Sequence, residues 1–335
     1  MTYTSLADLG WSAHFARQLD ENSIGTPARL CEIHRDRVEA LSLNGPLTLR
    51  TTESTGAYAV GDWVLAEDGL ALSRLDRLTT VSRRAAGEVA QKQLIAANVD
   101  TLGIVTSCNA DFNPARLERY LALAAMGGAL PLIILTKADL AEDPDDYRRQ
   151  AEALSPMLTA LALDAHDAVA VEKLTPWCNS GQTLALVGSS GVGKTTLQNA
   201  LTGIIDATQN IRGDDAKGRH TTTARALRPT LAGGWLIDTP GMRELRLSEA
   251  SEGIDAVFDD IVSLVSQCKF NDCAHDHEPG CAVQAAIATG KLDADRLKRW
   301  RKLKNEDRFS TESIHEARER FRKNGKMYKA HKKPR

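Results

Sequence analysis

The chain has 335 residues, 42% of them hydrophobic and 26% charged, with six cysteines. These fractions exclude a mostly disordered, collagenous or coiled-coil chain, and at roughly 100–200 residues per domain they predict two or three domains. No apolar run approaches the ~20 residues of a membrane span, the opening MTYTSLADLGW has no basic-then-apolar signal pattern, and six cysteines are too few for a disulfide scaffold; a soluble cytoplasmic protein without membrane contact is expected.

The net charge of −2 hides an asymmetry. Residues 291–335 carry 17 Lys+Arg against 7 Asp+Glu, and the rest of the chain 25 against 37. The last stretch, RFRKNGKMYKAHKKPR (320–335), has no acid and two aromatics, which suits contact with nucleic-acid phosphates; a solvated helix face fits the mixed charges of 293–319.

Residues 4–20 place Leu6, Leu9, Trp11 and Phe15 at near-helical spacing and predict a short amphipathic arm. From Ala28 to about Ser82, short alternating runs broken by Asn-Gly-Pro and Asp-Gly turns predict a small antiparallel sheet or barrel. RRAAGEVAQKQLIAANVD (83–100) is expected as a linker. Beyond it, apolar runs at 101–106, 131–135, 159–163 and 183–187 alternate with helical stretches such as 114–127, which argues for a parallel sheet covered by helices. After residue 245 the strand signals stop, and a cysteine-rich stretch precedes charged helical sequence.

Gly188-Ser189-Ser190-Gly191-Val192-Gly193-Lys194-Thr195, continued by Thr196, matches G-x-x-x-x-G-K-[ST] between the apolar run TLALV and a helical segment. That is the context of a phosphate-binding loop. Backbone N–H groups and the helix N-terminus would hold the β-phosphate, Lys194 would reach the β/γ oxygens, and the Thr195 hydroxyl would ligate Mg2+. Asp238-Thr-Pro-Gly241, after Leu236-Ile237, has the DxxG form found in GTPases: Asp238 would hold Mg2+ through water, and the Gly241 N–H could sense a γ-phosphate. Thr136-Lys137-Ala138-Asp139 closes the run PLIIL; the Asp139 carboxylate could accept N1–H and N2–H of guanine with Lys137 along the base, or it could simply cap a helix. The order is reversed relative to an ordinary G domain, since TKAD precedes the phosphate loop by about 50 residues. The same sheet built with permuted connections accounts for this.

With VGDWV (60–64), QLIAANVD (93–100), RLERYL (116–121), LTKADL, VGSSGVGKTTLQNAL, GRHTTTARAL (218–227) and DTPGMREL, the chain resembles the circularly permuted ribosome-assembly GTPases called RsgA (YjeQ, EngC), over residues 4–300. The resemblance implies a multidomain α/β protein: an N-terminal OB-fold β-barrel, a circularly permuted P-loop GTPase domain and a C-terminal zinc-binding helical domain. On that reading, 1–24 is a helical arm, 25–90 the OB-fold, 91–246 the G domain and 247–335 the zinc domain with its basic tail. It implies hydrolysis of GTP to GDP by a monomer that acts on the small (30S) ribosomal subunit and its 16S rRNA late in maturation. Thr136 stands where Asn is more usual, which predicts looser bracing of the guanine loop, and the family's Ser-Ala base-contacting turn is represented only by Leu163-Asp164-Ala165.

Within GRHTTT, the family's switch I, Thr222 is expected to reach Mg2+ and the γ-phosphate, with Thr221 or Thr223 as alternatives. Met242 follows DTPG where Ras-like proteins place a water-orienting Gln, so intrinsic hydrolysis is expected to be slow; His220 is the nearest substitute that could polarise the water. Cys268, Cys273, His275 and Cys281 place four soft ligands within 14 residues, a set suited to a closed structural Zn2+ site. His277 competes with His275, and the family's C-x4-C-x-H-x5-C spacing selects His275. Two competing classes remain open: a P-loop ATPase or kinase with an accidental TKAD, and a binding module whose GTP site gates RNA affinity without turnover.

Overall fold

The computed structural model describes residues 3–84, 92–204, 225–239 and 250–311. Contacts divide the chain into two units, Met1–Ser82 with Leu94–Glu244 and Arg83–Gln93 with Leu245–Arg335.

The first unit opens with the expected arm. A 3-10 turn, Leu6–Leu9, carries a capping box: the Ser5 hydroxyl accepts from Asp8 N, and the Asp8 carboxylate accepts from Ser5 N. Helix α1 (Ala13–Ala16) follows, and Trp11 and Phe15 set their rings 4.8 and 5.8 Å from Trp63. Strands β1 (Thr26–Ile33), β2 (Val38–Ser42), β3 (Gly45–Thr51), β4 (Trp63–Glu67) and β5 (Leu70–Arg74) close into a barrel in the order β1-β2-β3-β5-β4. All its neighbours are antiparallel except β3 and β5, which pair in parallel. Alternate residues face inward, so Ala28, Leu30, Val38, Ala40, Leu49 and Val64 fill the interior. Strands β6 (Thr80–Arg84) and β7 (Lys92–Ala97) form a two-stranded ribbon, so part of the expected linker is strand.

The sheet comprises β8 (Thr101–Ser107), β9 (Leu130–Thr136), β10 (Thr159–Ala162), β11 (Thr183–Gly188), β12 (Leu227–Pro229) and β13 (Trp235–Asp238), in the order β10-β9-β8-β11-β13-β12. Every neighbouring pair is parallel except β12–β13. The central strands β8 and β11 are buried along their whole length, as expected of strands covered on both faces. Helices α2 (Pro114–Gly127), α3 (Pro144–Glu152), α4 (Ala168–Glu172) and α5 (Lys194–Thr202) connect them. Asn113 caps α2 by accepting from Arg116 N at 3.1 Å, with Pro114 in the first turn and Gly128 ending it in the left-handed conformation. Leu132, Ile134, Leu184, Leu186, Leu197 and Leu236 make the core under these helices.

Barrel, arm and sheet meet on one buried cation. Arg29 of β1, 1% exposed, donates to Leu9 O at 2.6 Å, to Thr183 Oγ1 at 2.7 Å and to Asn98 O at 3.2 Å. Burial pulls its guanidinium down to about 10, and Asp100 opposes that shift. Arg29 is therefore a structural cation, closed to solvent.

In the second unit, α6 (Ser251–Val257), α7 (Asp259–Val265), α8 (Ala282–Ala288) and α9 (Ala294–Thr311) surround the buried Ile254, Phe258, Ile261 and Val283. Arg296 of α9 lies 4.7 Å over the Phe258 ring and pairs with Asp260 at 2.8 Å. Among the described residues no strand follows β13, as expected, and no helix is long and apolar enough to cross a membrane.

Replacing Arg29 by Met leaves three buried oxygens without their donor. Equilibrium urea unfolding should show a loss of about 3–5 kcal/mol, the usual cost of removing one member of a buried charged network. An unchanged midpoint would contradict the role given to this residue.

Candidate nucleotide site and metal centre

Parallel strands release their loops at the same edge, and that edge carries the TKAD turn after β9, the glycine-rich loop after β11 and Asp238 at the end of β13. Strand β11 runs into the glycine-rich loop. Gly188 has φ +144, and a Cβ on it would stand 2.2 Å from Val105 O of β8, so only glycine fits this close approach. Gly193, also at positive φ, precedes α5, which begins at Lys194. Val192 turns its side chain into the core, whereas Ser190, Gly191 and Thr195 are open to solvent, and Ser189 and Thr196 are half-buried. Lys194 Nζ donates to Gly188 O at 2.9 Å and to Ser189 O. Burial pulls this ammonium down to about 8, while Asp238 and then Asp111 favour its charged form. Asp238 ends β13, and Asp111 lies in the loop leaving β8, so carboxylates flank Lys194 from both neighbouring strands. Thr239, nearly fully buried, donates to Leu186 O at 2.5 Å and fastens the beginning of DTPG to β11.

The TKAD turn is fastened to the glycine-rich loop directly. Thr136, fully buried at the end of β9, has its hydroxyl 2.6 Å from Val192 O and 3.1 Å from Thr106 O of β8, so it spans the intervening strand. Its neighbour Lys137 sits at φ +57 and donates from Nζ to Gly191 O at 3.0 Å. The looser bracing expected from Thr in place of Asn is therefore not what the structure has: the hydroxyl makes the contact to the loop itself. Asp139 is exposed, in the 3-10 turn Ala138–Leu140, and the cap of α3 is instead Asp143, which accepts from Asp146 N at 3.0 Å. The Leu163-Asp164-Ala165 turn lies alongside: Leu163 N donates to Leu135 O at 2.9 Å, and Ala138 N to Leu163 O at 3.4 Å. Gly241, Met242, His220 and Thr222, with Thr221 and Thr223, lie outside the described residues, as does the basic stretch 320–335.

In the second unit, Cys268, Cys273, His275 and Cys281 converge, their ligand atoms all within 4.8 Å of one another. Cys268 Sγ is 3.5 Å and Cys281 Sγ 3.6 Å from His275 Nδ1, and the two sulfurs are 3.9 Å apart. A tetrahedral ion with bonds of about 2.3 Å to sulfur and about 2.0–2.1 Å to nitrogen has edges of about 3.8 Å between sulfurs and about 3.6 Å from sulfur to nitrogen. The residues fit such an ion, and Nδ1 is the nitrogen that faces it. His277 is exposed and contributes only its backbone N–H to the loop, which decides between the two histidines.

Residues that no motif marks hold this loop in shape. The Glu278 carboxylate accepts from Ala274, Asp276 and His277 N–H groups at 2.8, 2.9 and 3.1 Å, and backbone hydrogen bonds hold its carboxyl down to about 2. From α9, Arg301 donates to Ala274 O at 2.6 Å and pairs with Asp276 at 2.8 Å, and Gln284 of α8 donates to His275 O. Sequence reasoning missed Asp111 and Arg301 because their partners are far away in the chain, and Glu278 because its partners are backbone N–H groups that no residue type marks.

Residues 74–248 match the family model described as RsgA GTPase. The chain is 54% identical over 316 residues to the small ribosomal subunit biogenesis GTPase RsgA of Mesorhizobium japonicum, covering 92% of this chain and 91% of that protein. It is 46% identical to the small ribosomal subunit biogenesis GTPase RsgA 2 of Vibrio parahaemolyticus, covering 97% and 92%. Two solved structures share the fold: YjeQ from Thermotoga maritima (TM-score 0.62, 23% identity, 83% of this chain and 96% of that one) and YloQ, a circularly permuted GTPase (0.60, 22%, 88% and 99%). Identity at this level over nearly the whole chain, on a sheet whose TKAD turn precedes its glycine-rich loop, makes the chain a GTP hydrolase of the RsgA GTPase family.

Proposed function

We propose that the chain assists late maturation of the small ribosomal subunit in the cytoplasm, as a monomer that binds the particle through its 16S rRNA and hydrolyses GTP on it. Relatives named for small-subunit biogenesis support the partner, and the basic stretch 320–335 supplies the phosphate-contact chemistry. The observation that carries the nucleotide reading is the pair of bonds from Thr136 to Val192 O and from Lys137 to Gly191 O. They tie the turn that carries Asp139 to the glycine-rich loop.

On this proposal, Asp139 accepts N1–H and N2–H of guanine, and Lys137 with Ala138 lines the base. Backbone N–H groups from Gly188 through Thr196 surround the phosphates, and Lys194 exchanges its carbonyl partners for β/γ oxygens. Thr195, Thr222 and Asp238 would hold Mg2+, which when bound neutralises charge between the phosphates. Gly241 N–H meets the γ-phosphate. Met242 offers the attacking water no hydrogen bond, so His220 is assigned to polarise it, and docking on the ribosome to position it. Cys268, Cys273, His275 and Cys281 take one structural Zn2+, which replaces the core a small loop-rich segment lacks. The division into arm (1–24), OB-fold (25–90), G domain (91–246) and zinc domain (247–335) is part of the same proposal.

Asp139→Asn should move preference from GTP toward XTP, whose O2 accepts from the new amide N–H where guanine N2–H donates to the carboxylate; competition against a fluorescent GDP analogue reads this, and unchanged selectivity would remove the guanine role. Cys273→Ser or Cys281→Ser should abolish bound zinc in elemental analysis and loosen residues 250–311 to proteolysis, and full zinc content in both variants would overturn the ligand set. Added 30S subunits should raise turnover by about 10²-fold, the scale of positioning one proton-transfer group. Affinity for 30S should fall steeply with salt while GTP affinity holds. His220→Ala should keep 30S binding and lose the stimulation; stimulation at the wild-type level would assign the catalytic group to the ribosome.

A further inference from the structure

Two of the donors in the metal cluster are carried by helices. Cys268 follows α7, its N–H donating to Val265 O at 3.2 Å, and Cys281 caps α8, its sulfur accepting from Gln284 N at 3.4 Å. His275 has no such support, since it lies in the loop between these helices, at φ +61. A donor on a loop strengthens a metal site only if its backbone is held beforehand, because ordering it on binding costs conformational entropy.

One carboxylate does the holding. Glu278 Oε1 accepts from Ala274 N at 2.8 Å, while Oε2 accepts from Asp276 N at 2.9 Å and His277 N at 3.1 Å. The two oxygens therefore grip the chain on either side of His275. Consecutive N–H groups converge on one anion in this way when the turn contains a left-handed residue, and His275 is that residue. The side chains follow from the backbone. His275 is buried with Nδ1 at 3.5 and 3.6 Å from the sulfurs of Cys268 and Cys281, whereas His277, whose own N–H is taken by the carboxylate, is exposed. Gln284 of α8 completes the turn by donating to His275 O, and the imidazole stands 6.2 Å from the Trp300 ring of α9.

We infer that Glu278 is a positioning residue for the metal centre: by bridging the backbone on both sides of His275, it presents Nδ1 of that histidine, and not His277, as the donor that joins the three sulfurs. The inference rests on the reading of Cys268, Cys273, His275 and Cys281 as a Zn2+ site. On this inference Glu278 affects the ion through His275 alone. Glutamine has nearly the same shape but cannot substitute, because its single oxygen serves one side of the turn and its NH2 group meets N–H donors on the other.

The test measures zinc affinity of the full chain by competition with a chromophoric chelator, and the visible absorption of the chain saturated with Co2+. Glu278→Gln should weaken zinc about 10–100-fold, the usual effect of removing an outer partner of a metal ligand. The double variant Glu278→Gln/His275→Ala should bind as His275→Ala does, within about twofold, since residues that act through one another are not additive. The Co2+ spectrum of Glu278→Gln should shift toward that of His275→Ala, whereas a general loss of stability would leave the saturated spectrum at its wild-type form. Wild-type affinity in Glu278→Gln, losses that add in the double variant, or an unshifted spectrum would overturn the inference. If the wild-type chain takes up no Zn2+, the metal reading fails and this inference falls with it; if it takes up one ion and any of those three results is found, the inference alone fails. Should Glu278→Gln not fold, Glu278→Asp, which is one methylene too short to reach both sides of the turn, carries the same cycle with the same outcomes.

Discussion

Everything at the nucleotide edge depends on the parallel pairing of β9, β8 and β11. Parallel strands release their loops at a common edge whatever the order in which the chain visits them. TKAD leaves β9, the Asp111 loop leaves β8 and the glycine-rich loop leaves β11, so three segments far apart in sequence become neighbours. The hydroxyl of Thr136 completes the arrangement by reaching over β8 to Val192 O. Moving the chain termini changes which loop comes first and leaves this edge as it was. The permutation therefore costs the site nothing, and in sequence it leaves DTPG next to the segment that carries the metal cluster.

A second dependence lies at the opposite side of the sheet. Arg29 brings a full positive charge into an interior where an unpaired ion is costly, and three oxygens from three separate segments satisfy it. One of them, Thr183 Oγ1, belongs to the first residue of the phosphate-loop strand, and Thr183 N in turn donates to the Asp100 carboxylate at 2.7 Å. Together with Trp235 and Asp8, this network makes the barrel a part of the sheet's framework.

The metal cluster illustrates a different solution to stability. Residues 268–281 form no strand or helix of their own, and what shapes them is a carboxylate, Glu278, that gathers three backbone N–H groups, with Arg301 clamping from α9. His275 is held in a left-handed conformation, φ +61, that non-glycine residues rarely adopt. Such a conformation persists where surrounding contacts over-determine it, and here it accompanies four donor atoms gathered within 4.8 Å of one another.

The sequence alone determined the class of the molecule, because its evidence is local. Glycine spacing before a lysine, alternation in residues 28–82, continuous apolar runs at β8 and β11, and three cysteines with a histidine each depend on neighbours within a few residues. They specify barrel, parallel sheet, phosphate loop and ligand set without reference to anything distant. Tertiary structure decided what depends on long-range proximity. It made Arg29 an internal cation although it reads as one more basic barrel residue, and it gave the helix cap to Asp143, leaving Asp139 exposed. It buried His275, the ligand the spacing had already selected, left His277 exposed, and let Thr136 brace a loop 56 residues away. A side chain's partners depend on which strands become neighbours, and that follows from burying the whole core at once, which no window of sequence contains.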